Sequence, residues 1–114
     1  MHTDIYNRLL ELARAQKLTH YSDIAPLASL SMDIEDDRDK MASLLWEIVQ
    51  HERENDRPML TAIVVHRGAD NNPGEGFFSA AMKIGKFDGS RDPIERLEFW
   101  VRQVGEVHQY WAAH

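Results

Sequence analysis

The chain has 114 residues, 43% of them hydrophobic, with no cysteine and a formal charge of −6. That length suits one domain with a single core, and the missing cysteines exclude disulfides, thiolate metal sites and cysteine nucleophiles. No stretch approaches the roughly 20 apolar residues of a membrane span, and Met1-His2-Thr3-Asp4 lacks a basic segment leading into an apolar one, so a cytoplasmic protein is expected.

The first helix is expected from Thr3 to Lys17, with Ile5, Leu9, Leu12, Ala13 and Gln16 at helical spacing and Thr3 as its cap. Leu18-Thr19-His20 is too short for periodicity to classify, and a brief strand fits there. Residues 21–28 read as a short helix capped by Thr19 or Ser22, with Pro26 near its first turn, where a missing N–H costs little. A third helix spans 36–54, its inner face formed by Met41, Leu44, Leu45, Ile48, Val49 and Glu52. Arg57-Pro58 prevents its continuation.

Residues 21–56 carry ten acids and three bases, and the acids concentrate in Asp33-Ile34-Glu35-Asp36-Asp37-Arg38-Asp39. Acids at a helix start complement its dipole. Such a block also repels phosphate backbones and favours basic partners.

Met59 to His66 is apolar at every other position on both faces and reads as a strand covered on both sides. Its backbone needs a partner, for which Leu18–Tyr21, Gly76–Ala80 or a second copy of the strand are the choices. A glycine-rich loop, 67–76, follows. Residues 77–84 fit either a strand or a helix stopped by Gly85. The last helix is expected over 93–112: Asp92-Pro93-Ile94-Glu95 combines a capping acid, proline at the first position and a capping-box glutamate. Ile94, Leu97, Val101, Val104, His108 and Trp111 form its main stripe, expected to close the core or to make a homodimer seam.

This order of elements predicts an α+β, mostly helical, winged-helix-like domain with a two- or three-stranded sheet and a long C-terminal helix. Thr19-x-Tyr21-x-x-Ile24-Ala25, Arg38 followed by Ser43-Leu44, and the His66-Arg67 pair ahead of a glycine loop together span residues 19–76. In these motifs the chain resembles the helix-turn-helix segment of alkylguanine-DNA alkyltransferases and their non-catalytic alkyltransferase-like relatives. The resemblance implies a DNA-facing helix-turn-helix with Arg38 directed to the DNA. Val65 stands where that family has its alkyl-accepting cysteine, and a chain without cysteine cannot transfer an alkyl group to one.

Other chemistries find thinner support. Glu47 and His51, four apart on one helical face, are candidate metal ligands with His66 or Glu52 as a third. Backbone amides of 68–76 are suited to an anion, but no Lys-Ser/Thr ending follows. His66 and Glu75 make an acid-base pair without a nucleophile. The expectation is therefore a non-enzymatic binding module without cofactor, acting on a protein partner. A nucleic-acid-binding winged helix and a metal-dependent enzyme using Glu47 and His51 are the alternatives. The binding residues expected are Tyr21, Arg38, His66, Arg67, Asn72, Gly74 and Gly76.

Overall fold

The structure is a computed structural model in which residues 1–68 and 72–114 are described. It is α+β, with five α-helices and a small parallel sheet among the described residues. No helix among them is long and apolar enough to cross a membrane.

Helix α1 runs Thr3–Arg14 and buries Ile5, Leu9, Leu12 and Ala13. Its cap is His2, whose Nδ1 accepts from the Ile5 N–H, and Thr3 already lies inside the helix. The helix stops three residues short of the expected Lys17. Gln16 takes a left-handed φ of 61°, and the Lys17 N–H returns to the Leu12 carbonyl, which closes the last turn.

Strand β1 is only Thr19–His20, and α2 (Tyr21–Ile24) follows at once. The expected helix over 21–28 divides here: Ala25–Ala28 tightens into a 3-10 turn with Pro26 in its opening positions. Neither Thr19 nor Ser22 caps α2 by a side-chain hydrogen bond. Helix α3 spans Glu35–Glu54 and buries Met41, Leu45, Ile48, Val49 and Glu52, with Leu44 half-buried, close to the expected face.

The expected strand over 59–66 is replaced by a 3-10 turn, Leu60–Ile63, leading into β2, which is Val64–Val65 alone. All of Met59 to Val65 is buried. A run that is apolar at every position but Thr61 satisfies a fully enclosed turn as well as a strand, so its pattern cannot choose between them. Pairing decides, because β1 has just two residues to offer before α2 begins. The turn instead packs against α1, α3 and the C-terminal helix, Pro93–Ala113.

Residues 69–71, in the middle of the expected 67–76 loop, lie outside the described residues. Helix α4 (Glu75–Lys83) takes the helical option for 77–84 and ends with Ile84 and a left-handed Gly85 at φ 76°. Gly76 therefore stands in a helix and not in a loop. Helix α5 runs Pro93–Ala113, with the Asp92 carboxylate accepting from the Ile94 and Glu95 N–H groups as its sequence signature required.

The buried stripe of α5 differs from the expected one. Phe99, Gln103, Val107 and Trp111 face the core, whereas Ile94, Leu97 and Val101 are more than half exposed. The aromatic side chains carry the larger apolar area, so the helix turns them inward. Phe99 joins Phe77, Phe78 and Phe87 in an aromatic cluster, and the Trp100 Nε1–H donates to the Ala62 carbonyl at 2.9 Å.

Candidate functional site

The site follows from the register of the sheet. Thr19 pairs with Val64 and His20 with Val65, so the next residues along the two parallel strands, Tyr21 and His66, emerge side by side. Their rings stack with centroids 4.5 Å apart. They stand at a surface pocket of ≈ 340 Å³ between α3 and α4. Met41, Leu45, Trp46 and Val49 line it from α3, and Phe77 and Ala80 from α4.

The chain after β2 is stitched to this stack. The His66 N–H donates to the Asn72 carbonyl at 2.8 Å, and the Tyr21 hydroxyl donates to the Pro73 carbonyl at 2.7 Å. The Asn72 Oδ1 accepts from the Gly74 N–H at 2.7 Å, an Asx turn that brings the chain back toward α4. Burial pushes the Tyr21 hydroxyl up to about 12, which keeps it a donor over the physiological range.

Two cations, Arg38 and Lys83, also line the pocket. The Arg38 Nη1 donates to the Met32 carbonyl at 3.0 Å, and the Lys83 Nζ lies 5.2 Å from the centre of the Trp46 ring. Neither has a carboxylate within 4 Å among the described residues. Thr61 lines the pocket as well. It is buried, and its Oγ1 has no hydrogen-bond partner among the described residues.

Of the expected binding residues, Tyr21, Arg38, His66 and Gly76 converge on this pocket. Asn72 and Gly74 hold the loop that abuts it. Arg67 points elsewhere: it donates to Ser22 Oγ at 2.9 Å and to Asp23 Oδ1 at 2.5 Å, which straps the end of β2 to α2. Hydrogen bonding from His20, with Arg67 beside it, holds the Asp23 carboxyl below the usual carboxylate range.

Trp46, Thr61, Phe77 and Ala80 were not singled out by sequence reasoning, and Lys83 was read only as one base of a candidate basic wing with Arg67, Lys86 and Arg91. The one usable signal was a second apolar line on α3, Ala42, Trp46 and Val49, which shares Val49 with the core stripe. The acidic segment reaches the same rim. Met32 and Arg38 border the pocket, and Asp33, Glu35, Asp36 and Asp39 are exposed around them. Asp37 is turned inward and accepts from the Ser31 N–H at 2.9 Å.

The other candidate chemistries meet different partners. Glu75 accepts from Arg96 Nη1 at 2.7 Å, which holds its carboxyl below the usual range. The His51 ring makes an edge contact with Tyr6, and Glu52, fully buried, binds both the Tyr6 hydroxyl and the Arg57 guanidinium. No three His, Asp or Glu side chains gather to hold a metal ion among the described residues.

Comparison with protein-family models, with curated proteins and with solved structures finds no match to this chain.

Proposed function

We propose that the protein is a non-enzymatic binding module, and that a protein partner seats a large apolar side chain in the pocket between α3 and α4. The observation that carries this is the ≈ 340 Å³ pocket itself, walled by apolar groups and bordered by both the His66 end of the loop and the acidic segment. Its volume is about twice the roughly 150 Å³ that admits benzene, which is room for an indole or phenol ring and its stem. Aromatic anchors of this kind dominate the energetics of protein interfaces. The exposed acids beside the rim select basic residues flanking that anchor. A cytoplasmic location is part of the same proposal, and fractionation of cells containing the protein tests it.

Filling the pocket tests the reading. Ala80 lines it and is half-buried, so Ala80→Trp occupies the space from within. A partner recovered by pull-down, identified and rebound in purified form is expected to lose affinity on Ala80→Trp, and separately when Asp33, Asp36 and Asp39 become Asn. Equal affinity of a folded Ala80→Trp variant would sink the pocket as the binding site.

A second reading, nucleic-acid binding, is supported by Arg38 and Lys83 at the pocket and by the helix-turn-helix resemblance over residues 19–76. Phosphate contacts would make such binding steeply salt-dependent. Fluorescence anisotropy with duplex DNA at low salt is then expected to show binding that weakens on Arg38→Ala and Lys83→Ala, and an unchanged signal at the lowest salt removes this reading.

A further inference from the structure

Helix α5 presents to solvent a face that its own fold leaves uncovered. Ile94 is 67% exposed, Leu97 56% and Val101 55%. With 3.6 residues per turn, Ile94, Val101 and Gly105 fall within about 40° of one line along the helix, and Leu97 and Val104 border it. Gly105 is a separate oddity. It lies exposed inside a 21-residue helix, and a Cβ added there would meet nothing within 4 Å. Glycine weakens a helix interior, and no contact among the described residues calls for one at this position. A second backbone approaching closely would.

The charges beside this line indicate which partner fits. Glu95 and Glu98 lie toward its N-terminal end and Arg102 toward its C-terminal end, and all three are exposed. Two copies of such a helix complement each other when antiparallel. In a parallel pair the charged edges of the two helices would lie on opposite sides of the seam, out of reach of one another, and two glycines would meet with a gap between them.

We propose that α5 pairs with α5 of a second copy of this chain, antiparallel, about a two-fold axis level with residues 99 and 100. Ile94 of one protomer then packs over Gly105 of the other, Leu97 and Val101 interleave with their counterparts, and Arg102 lies alongside Glu95 and Glu98 across the axis. A two-fold contact of this kind is self-complementary, as isologous interfaces must be. The contact covers about three helical turns and falls below the standard interface size, so the dimer is expected to be weak and to dissociate on dilution. It involves neither the pocket nor the acidic segment and does not depend on the function proposed for them.

Sedimentation equilibrium of the full chain over the low- to high-micromolar range tests this. The average mass is expected to climb toward that of two chains, and Val101→Glu, an exposed substitution that leaves the core intact, is expected to remain monomeric throughout. Arg102→Glu should weaken association about tenfold, and Arg102→Glu combined with Glu98→Arg should restore it. Because the chain has no cysteine, Ile94→Cys and Gly105→Cys report the direction of pairing: oxidation should link a mixture of the two, but not Ile94→Cys to itself. A wild type monomeric at the highest concentration overturns the proposal, as does a dimer unaffected by both Val101→Glu and Arg102→Glu. Self-linking of Ile94→Cys overturns the antiparallel arrangement.

Discussion

A Cβ atom on residue 74 would stand 2.5 Å from His66 Nε2 and 2.8 Å from His66 Cδ2. Gly74 also has φ +88°, a backbone conformation that side chains rarely adopt. Its ψ of 167° completes a conformation essentially restricted to glycine. Two separate constraints thus converge on one glycine, and both concern the loop that keeps His66 stacked on Tyr21.

Gly74→Ala is expected to destabilise the protein by about 1–3 kcal/mol from backbone strain alone, with the collision against His66 added. The double variant Gly74→Ala/His66→Ala separates the two, since it relieves the collision and leaves the strain. Urea-unfolding midpoints are the measurement. A single variant as stable as wild type would show that the loop does not hold this geometry.

The ring formed by Tyr6, Glu52 and Arg57 is a structural ion pair. Glu52 is fully buried, accepts from the Tyr6 hydroxyl at 2.7 Å and pairs with the Arg57 guanidinium. Desolvation opposes the Arg57 charge, and the Glu52 carboxylate outweighs it, so the guanidinium is held more firmly protonated. Glu52→Ala removes the buried partner of a half-buried pair, leaving the Tyr6 hydroxyl and the Arg57 guanidinium without their acceptor, and is expected to cost about 1–3 kcal/mol. Arg67→Ala breaks an exposed pair with Asp23, which solvent already screens, and should change stability little. Guanidinium unfolding of both variants checks the contrast.

Stability should fall at high pH. Burial, with the Glu52 acceptor adding to it, raises the Tyr6 hydroxyl from the ordinary 10.0 to about 12, and burial alone does the same for Tyr21. The folded state therefore holds these protons more tightly than the unfolded chain. The corresponding stability is complete below pH 10 and is lost as the pH rises from 10 to about 12. Urea midpoints at successive pH values, read beside phenolate absorbance, should show this loss, and Tyr6→Phe/Tyr21→Phe should flatten the profile. An equally steep profile in that variant would reassign the effect to other groups.

Two neighbouring positions on α5 report which face is inward. Phe99 is 4% exposed, within the aromatic cluster, and Phe99→Ala is expected to cost about 3–5 kcal/mol. Leu97→Ala, measured at dilutions where the chain is monomeric, is expected to stay within about 0.5 kcal/mol of wild type. Thermal or urea unfolding of the pair settles the orientation, and a larger loss at Leu97 would reverse it.

Local signals marked the boundaries of the helices better than their orientation. Asp92-Pro93 opened α5 in the sequence and opens it in the structure, because a capping carboxylate and a proline act within one turn. The stripe on the same helix could not be read so directly, since nearly every turn of α5 offers two apolar lines, and only competition for the core ranks them. The four pocket residues anticipated from sequence came from motif positions at the ends of β1 and β2 and at the start of α3 and α4. Thr61 carried no such mark, and Lys83 only that of one base among several, because nothing local reveals that a buried hydroxyl lacks a partner or that a lysine lies over a tryptophan.

By itself the sequence determined the α+β, mostly helical character, the starts of α3 and α5 and the exclusion of cysteine chemistry. Each of these depends on residues within a few positions of one another. Tertiary structure alone decided that Met59 to Val65 is largely a buried turn, that Tyr21 meets His66, and that Ile94, Leu97 and Val101 face solvent. Those outcomes depend on which distant groups compete for the same interior space. The two-residue register of β1 against β2 is the clearest case: it sets the Tyr21–His66 contact, and neither strand encodes it without the other.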